Sequence, residues 1–190
     1  MINKNFYVYV VIHSESVYNR LGIFTGRVDS KLSERGHHDA LHLAIKLKNK
    51  KIGMAFTSPL KRTRETLKYI LKYHPETKVV VDNKLIERDY GILSRKNKEK
   101  YKKDYPDLYP IYHRSYKISP PKGESMMDVE KRILIFLKDM INLIKEKKVN
   151  VLIVTHGNAI RPIRKYFEGL SSKQMMELKN IKDRVFTYKI

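Results

Sequence analysis

His13 and His156 each stand directly behind an apolar, β-rich run, FYVYVVI at 6–12 and VLIVT at 151–155. A neutral imidazole is a nucleophile and a general base near neutral pH. In an open α/β sheet, ligands bind where strands end at their carboxyl edge. Two histidines at equivalent strand ends therefore point to one shared site, whereas either alone would read as structural. Arg62 lies in Thr57-Ser58-Pro59-Leu60-Lys61-Arg62, behind another short apolar run. A helix opening there would offer unpaired N–H groups to an anion. On spacing alone, however, Arg62 reads as a solvated helix residue. Glu87, in Leu85-Ile86-Glu87-Arg88, reads as a surface acid paired with a lysine.

The elements that must position these residues alternate. Strands are expected at Phe6–Ile12, Met54–Thr57, Val79–Val81, Val151–Thr155 and Val185–Tyr188. Ser33 is placed to cap a helix running to about Lys48, with Ala40, Leu43, Ala44 and Leu47 on one face. Pro59 sits where a first helical turn would begin, in a helix carrying Leu67, Ile70 and Leu71. Ser125 and Asp128 form a capping-box pattern before a long helix whose apolar stripe runs from Val129 to Ile144. Two more helices are expected, at about Asn158–Phe167 and Lys173–Leu178. Strands alternating with helices imply an α/β fold: three layers, with a mostly parallel sheet flanked by helices. The segment from Leu85 to Pro121 breaks this rhythm. It is basic and rich in Tyr and Pro, as an inserted lid or binding loop would be.

Composition bounds the chemistry. The chain has 190 residues, is 42% hydrophobic and contains no cysteine. That length suits one domain over 1–190, able to bury roughly 70% of its unfolded surface. Lack of cysteine excludes a disulfide scaffold, a Cys-ligated metal site and thiol nucleophiles. The net charge is +20, carried by 28 lysines and 12 arginines, and favours anionic partners. Most of the lysines are scattered, so they read as a solvated coat; only Arg95–Lys103 is a dense run. No stretch reaches the roughly 18 apolar residues of a membrane span. Residues 6–12 read as a strand rather than a signal peptide, so a cytoplasmic location without membrane contact is expected.

Taken in order, these fragments resemble the histidine phosphatase superfamily, in its cofactor-dependent phosphoglycerate mutase branch. The resemblance rests on His13-Ser14-Glu15-Ser16 with Asn19, on Phe24-Thr25-Gly26, and on Thr57 to Arg62. It continues through Glu87-Arg88-Asp89-Tyr90-Gly91, Arg114-Ser115-Tyr116, Pro120-Pro121, Gly123-Glu124-Ser125 and His156-Gly157-Asn158. It spans nearly the whole chain and implies a phosphoglycerate mutase-like fold with a basic lid over about 88–122. His13 would be the phosphohistidine nucleophile, Arg62 and His156 would grip the phosphoryl oxygens, and Glu87 would be the general acid and base. Asn19, Thr25, Gly26, Tyr90, Lys98, Arg114 and Asn158 would line the substrate pocket. The implied reaction interconverts 3- and 2-phosphoglycerate in glycolysis and gluconeogenesis, with 2,3-bisphosphoglycerate priming His13 and no metal. The partner would be a small anionic phosphoester; no nucleic-acid motif is present, and a monomer or small homo-oligomer is expected.

The sequence also departs from the family pattern. The arginine expected before the nucleophile is Ile12, and the glycine expected after it is Ser14. Ser14 would be strained if that position needs positive φ, or its hydroxyl could donate to phosphate. Ile23 and His113 replace two further arginines. Two outcomes compete: a weakened, anion-binding relative, or compensation in which Lys61, Arg20 or Arg27 brings a cation into the site. The chain also runs only to Ile190, and a missing shielding tail would favour transfer to water, as in a phosphomonoesterase of the same fold.

Overall fold

The computed structural model describes residues 5–190, except the side chain of Arg114. In chain order the elements are β1 (Tyr7–Ile12), α1 (Val17–Arg20), α2 (Glu34–Leu47), β2 (Met54–Thr57), α3 (Lys61–Leu71) and β3 (Lys78–Val81). Then come α4 (Lys98–Asp104), α5 (Leu108–Arg114), α6 (Met126–Lys147), β4 (Val151–Thr155), α7 (Ile160–Glu168), α8 (Ser172–Glu177) and β5 (Phe186–Lys189). The five strands form one sheet in the order β3-β2-β4-β1-β5. β1, β2, β3 and β4 pair in parallel, and β5 runs antiparallel along β1 with Val10 opposite Phe186.

Both faces of the sheet are covered, which is why β1 and β4 read as continuous apolar runs. Alternate residues feed separate cores. Val8, Val10 and Ile12 of β1 pack with Phe56, Ile153, the α6 stripe and Ile160 and Ile163 of α7. Tyr9 and Val11 pack with Ala55, Leu152 and the inner faces of α2 and α3. The sheet is thus the middle of three layers.

The caps set the helix starts. Ser33 Oγ accepts from Gly36 N at 3.0 Å, opening α2. Ser125 and Asp128 form the reciprocal capping box of α6. Two expected starts shift. The helix expected to open at Pro59 begins at Lys61, because Leu60 is extended and its carbonyl is the first to accept, from Thr63 N and Arg64 N. The helix expected from Asn158 begins at Ile160, after a turn in which Ile160 N donates to His156 O at 2.9 Å and Arg161 N to Asn158 O at 3.2 Å.

The 88–122 segment folds into α4 and α5, which pack on Phe24, Tyr90 and Leu93 through Tyr101, Tyr109 and Tyr112. Its root is Arg88, whose buried guanidinium donates to the carbonyls of Glu124, Tyr112 and His113 at 2.7, 3.0 and 3.3 Å. Glu124 in turn receives Arg27, Arg132 and the N–H of Asp89. No described helix is long and apolar enough to cross a membrane.

Candidate active site

A cavity of about 260 Å³ opens at the carboxyl edge of the sheet. His13 enters it from the end of β1, Arg62 from the first turn of α3, and Glu87 from the loop before the 88–122 segment. Asn19, Thr25, Gly26, Tyr90, Lys98 and Asn158 complete the walls expected from the sequence. His156 lies behind this wall, its ring 5.0 Å from that of His13 in an edge-on arrangement. The side chain of Arg114 lies outside the described residues.

The reading of Arg62 as solvated and Glu87 as a surface acid is overturned. Arg62 is 1% exposed and Glu87 9%. The extended Leu60 delays the helix so that Arg62 turns inward, beneath the loop holding Gly26 and Val28. Its terminal nitrogens donate to Gly26 O at 2.7 Å and Val28 O at 3.0 Å. Its Nε–H donates to His13 Nε2 at 3.2 Å. Burial holds the Arg62 pKa down to about 10, with Glu87 and Asp29 opposing. Gly26 has φ +49, and a Cβ there would come within 3.1 Å of Arg88 O and Tyr90 N, so the close approach requires glycine.

The tautomer of His13 follows from its partners. Nδ1–H donates to Ser14 O at 2.6 Å, so Nε2 carries the lone pair that receives Arg62. Burial first, then Arg62 and Lys182, push His13 well below the ordinary imidazole range. It is neutral at pH 7, and its Nε2 lone pair is directed at Arg62. His156 is lowered for the same leading reason, then by Arg62, His13 and Arg132. Its Nε2 meets Ser58 Oγ at 2.7 Å, while its buried Nδ1 has no partner among the described residues.

Glu87 Oε1 accepts from Arg88 N at 2.8 Å and Asn158 N at 3.2 Å. The carboxylate is thereby oriented without a salt bridge among the described residues, and it borders the same cavity as His13. Asn158 also donates to the Tyr90 hydroxyl at 3.2 Å, linking the β4 end to the 88–122 segment.

The departures resolve differently from expectation. Ser14 does not take positive φ, so it is unstrained. Its Oγ is buried, has no partner among the described residues and does not border the cavity. Arg20, Arg27 and Lys61 do not reach the site: all three are exposed, and Arg27 is engaged by Glu124 and Asp89. Three other polar residues line the cavity that sequence reasoning missed: Arg161, Asn180 and Lys182. The last two belong to the loop before β5. Because β5 is antiparallel to β1, its leading loop arrives at the carboxyl edge of the parallel strands. That reversal was the signal available.

The histidine phosphatase superfamily (branch 1) matches residues 8–189. A phosphoglycerate mutase of Schizosaccharomyces pombe is 38% identical over 172 residues, covering 87% of this chain and 81% of that protein. A 2,3-bisphosphoglycerate-dependent phosphoglycerate mutase of Bartonella bacilliformis is 35% identical, covering 88% and 84%. Among solved structures, a mycobacterial hydrolase superposes with TM-score 0.86 at 20% identity, covering 97% and 92%. A mycobacterial glucosyl-3-phosphoglycerate phosphatase superposes at 0.82 and 21%, covering 93% and 86%.

Proposed function

Since the chain belongs to the histidine phosphatase superfamily, we propose that it is a phosphoglycerate mutase that works through a phosphohistidine at His13. The observation that carries the chemistry is the neutral, tautomerically fixed His13, whose Nε2 receives Arg62 in a cavity also bordered by Glu87. What favours a mutase over a hydrolase is likeness across most of the chain, at 33–38% identity, to proteins named as mutases.

In this reading His13 Nε2 attacks the phosphorus of a phosphoglycerate. The N–P bond forms as the P–O bond breaks, and Glu87 supplies the proton that the departing oxygen needs. In the reverse sense Glu87 takes the proton from the accepting hydroxyl. Arg62 follows the phosphoryl group, since each of its terminal nitrogens keeps an N–H beyond those given to Gly26 and Val28. His156 stands behind His13, its ring edge-on at 5.0 Å, and backs the nucleophile from the second strand end. Tyr90 and Lys98 hold the substrate from the 88–122 side, which acts as the lid.

A bisphosphorylated sugar acid fits the same walls, because the cations Arg62 and Lys98 that border them suit phosphate oxygens. When bound, 2,3-bisphosphoglycerate supplies the phosphoryl group that primes His13. The setting is then glycolysis and gluconeogenesis in the cytoplasm.

The test is conversion of 3- to 2-phosphoglycerate with and without 2,3-bisphosphoglycerate, beside H13A. The expected result is cofactor-dependent conversion that H13A abolishes. Phosphate release without conversion would replace the proposal with a phosphomonoesterase. Neither activity, with a phosphoglycerate-induced rise in Tm, would leave an anion-binding relative.

A further inference from the structure

The cavity lacks the cation that family resemblance places before the nucleophile, because that position is Ile12, packed in the core with Val10 and Ile160. A lysine from the opposite end of the chain reaches the same space. Lys182 borders the cavity with Ile12 and His13. Its Nζ donates to Asn19 Oδ1 at 3.2 Å, and the same oxygen accepts from the N–H of Ser16, in the loop just behind His13. The ammonium is therefore tied to the segment that carries the nucleophile, although 169 positions separate Lys182 from His13 in sequence.

The loop bearing Lys182 is fixed from both sides. Lys46 of α2 donates to the Asp183 carbonyl at 2.7 Å and pairs with its carboxylate at 2.6 Å. Asn180 lies against Gly157, where a Cβ would come within 2.5 Å of Asn180 Nδ2. The other basic residues of the cavity are committed elsewhere or belong to other walls. Arg161 donates to Met175 O and Met176 O, and Lys98 lies over the Phe24 ring.

Lys182 makes no ion pair among the described residues, so its positive charge is not neutralised by an adjacent carboxylate. Glu15 and Asp39 act on it only at longer range, and burial is the main reason its pKa is lowered. One N–H goes to Asn19, and two remain for an arriving dianion.

We propose that Lys182 binds the transferring phosphoryl group at His13, standing in for the motif arginine that Ile12 replaces. This deepens the phosphohistidine reading and rests on it. A lysine supplies a point charge rather than a bidentate fork, so the replacement holds the charge of the phosphoryl oxygens with less geometric control.

The test compares wild type, K182Q and K182R by orthovanadate and 3-phosphoglycerate affinity, by labelling of His13 from radiolabelled 2,3-bisphosphoglycerate and by Tm. Glutamine keeps an N–H donor and removes the charge, on a stem one bond shorter. The expected result is vanadate binding weakened about 10- to 100-fold in K182Q, labelling slowed at least as much, and K182R within about threefold of wild type. Wild-type affinity and labelling in K182Q would overturn the assignment. So would normal vanadate binding with lost 3-phosphoglycerate binding, because vanadate carries no carboxylate and the lysine would then serve the sugar-acid end. If K182Q does not fold, K182M, which keeps most of the stem and removes the charge, decides: weakened vanadate binding with native Tm supports the assignment, and wild-type binding overturns it. Wild type that neither binds vanadate nor labels would instead bring down the phosphohistidine reading, and this assignment with it.

Discussion

At the scale of single residues, the site is organised around the Arg62–His13 contact. Arg62 is bound to two backbone carbonyls and to the His13 lone pair, so its planar fork positions His13, the proposed nucleophile, as well as carrying charge. R62K keeps a cation but cannot make those bonds together. Losing two charge-assisted bonds, at roughly 1.5–3 kcal/mol each, should slow labelling of His13 by about 10²–10⁴-fold. A loss of less than threefold in rapid-quench labelling would show that the fork is dispensable. The two histidines were legible in the sequence because both follow buried strands. Arg62 and Glu87 were not legible from spacing, because nothing local shows that a residue three positions past a proline points inward. Their roles came only from the ordered resemblance. Lys182 escaped both routes: it matches no motif, and its place depends on which way the last strand runs.

At the scale of elements, strands β2 and β4 and the caps at Ser33 and Ser125 were readable at residue resolution, since they rest on local apolar runs and on short side-chain acceptors. α4 and α5 were not. Their helical pattern is hidden in a lysine- and tyrosine-rich stretch, and they are held by a small aromatic core that forms only once Phe24 and Tyr90 are brought together. The Arg88–Glu124 junction attaches this unit to the start of α6. Glu124 is mostly buried and receives Arg27, Arg132 and the Asp89 N–H, whereas Glu146 pairs with Lys147 in full solvent. E124A should therefore cost about 1–3 kcal/mol in urea unfolding, with faster amide exchange across 88–114. E146A should change stability by under about 0.5 kcal/mol. Equal effects from the two variants would mean that the junction does not anchor the segment. G26A tests the same junction from the backbone side: the positive φ and the Arg88 and Tyr90 backbones 3.1 Å away should make it both less stable and poorly active. An active G26A with wild-type Tm would contradict that close packing.

At the scale of the whole molecule, the buried histidine pair couples the site to acid stability. Both His13 and His156 are lowered in the folded state, chiefly by burial, while the unfolded chain holds them near 6.5. Below that value the unfolded chain binds protons that the folded chain refuses. The stability they contribute is therefore complete above about pH 6.5 and falls as the pH drops through and beneath it. Each neutral histidine adds a slope of about 1.4 kcal/mol per pH unit, or about 2.7 for the pair. A net charge of +20 also disfavours acid, because every proton gained adds to self-repulsion. That second effect is screened by salt, whereas the histidine effect is buried and resists it. Urea midpoints between pH 7.5 and 5.5, at low and high salt, separate the two. Wild type should lose stability at both salt levels, and H13Q/H156Q should keep only the salt-sensitive part. A wild-type midpoint that stays flat down to pH 5.5 at high salt would mean that the histidines are not held neutral. A neutral His13 is also the condition for nucleophilic attack, so the same titration bears on the first chemical step.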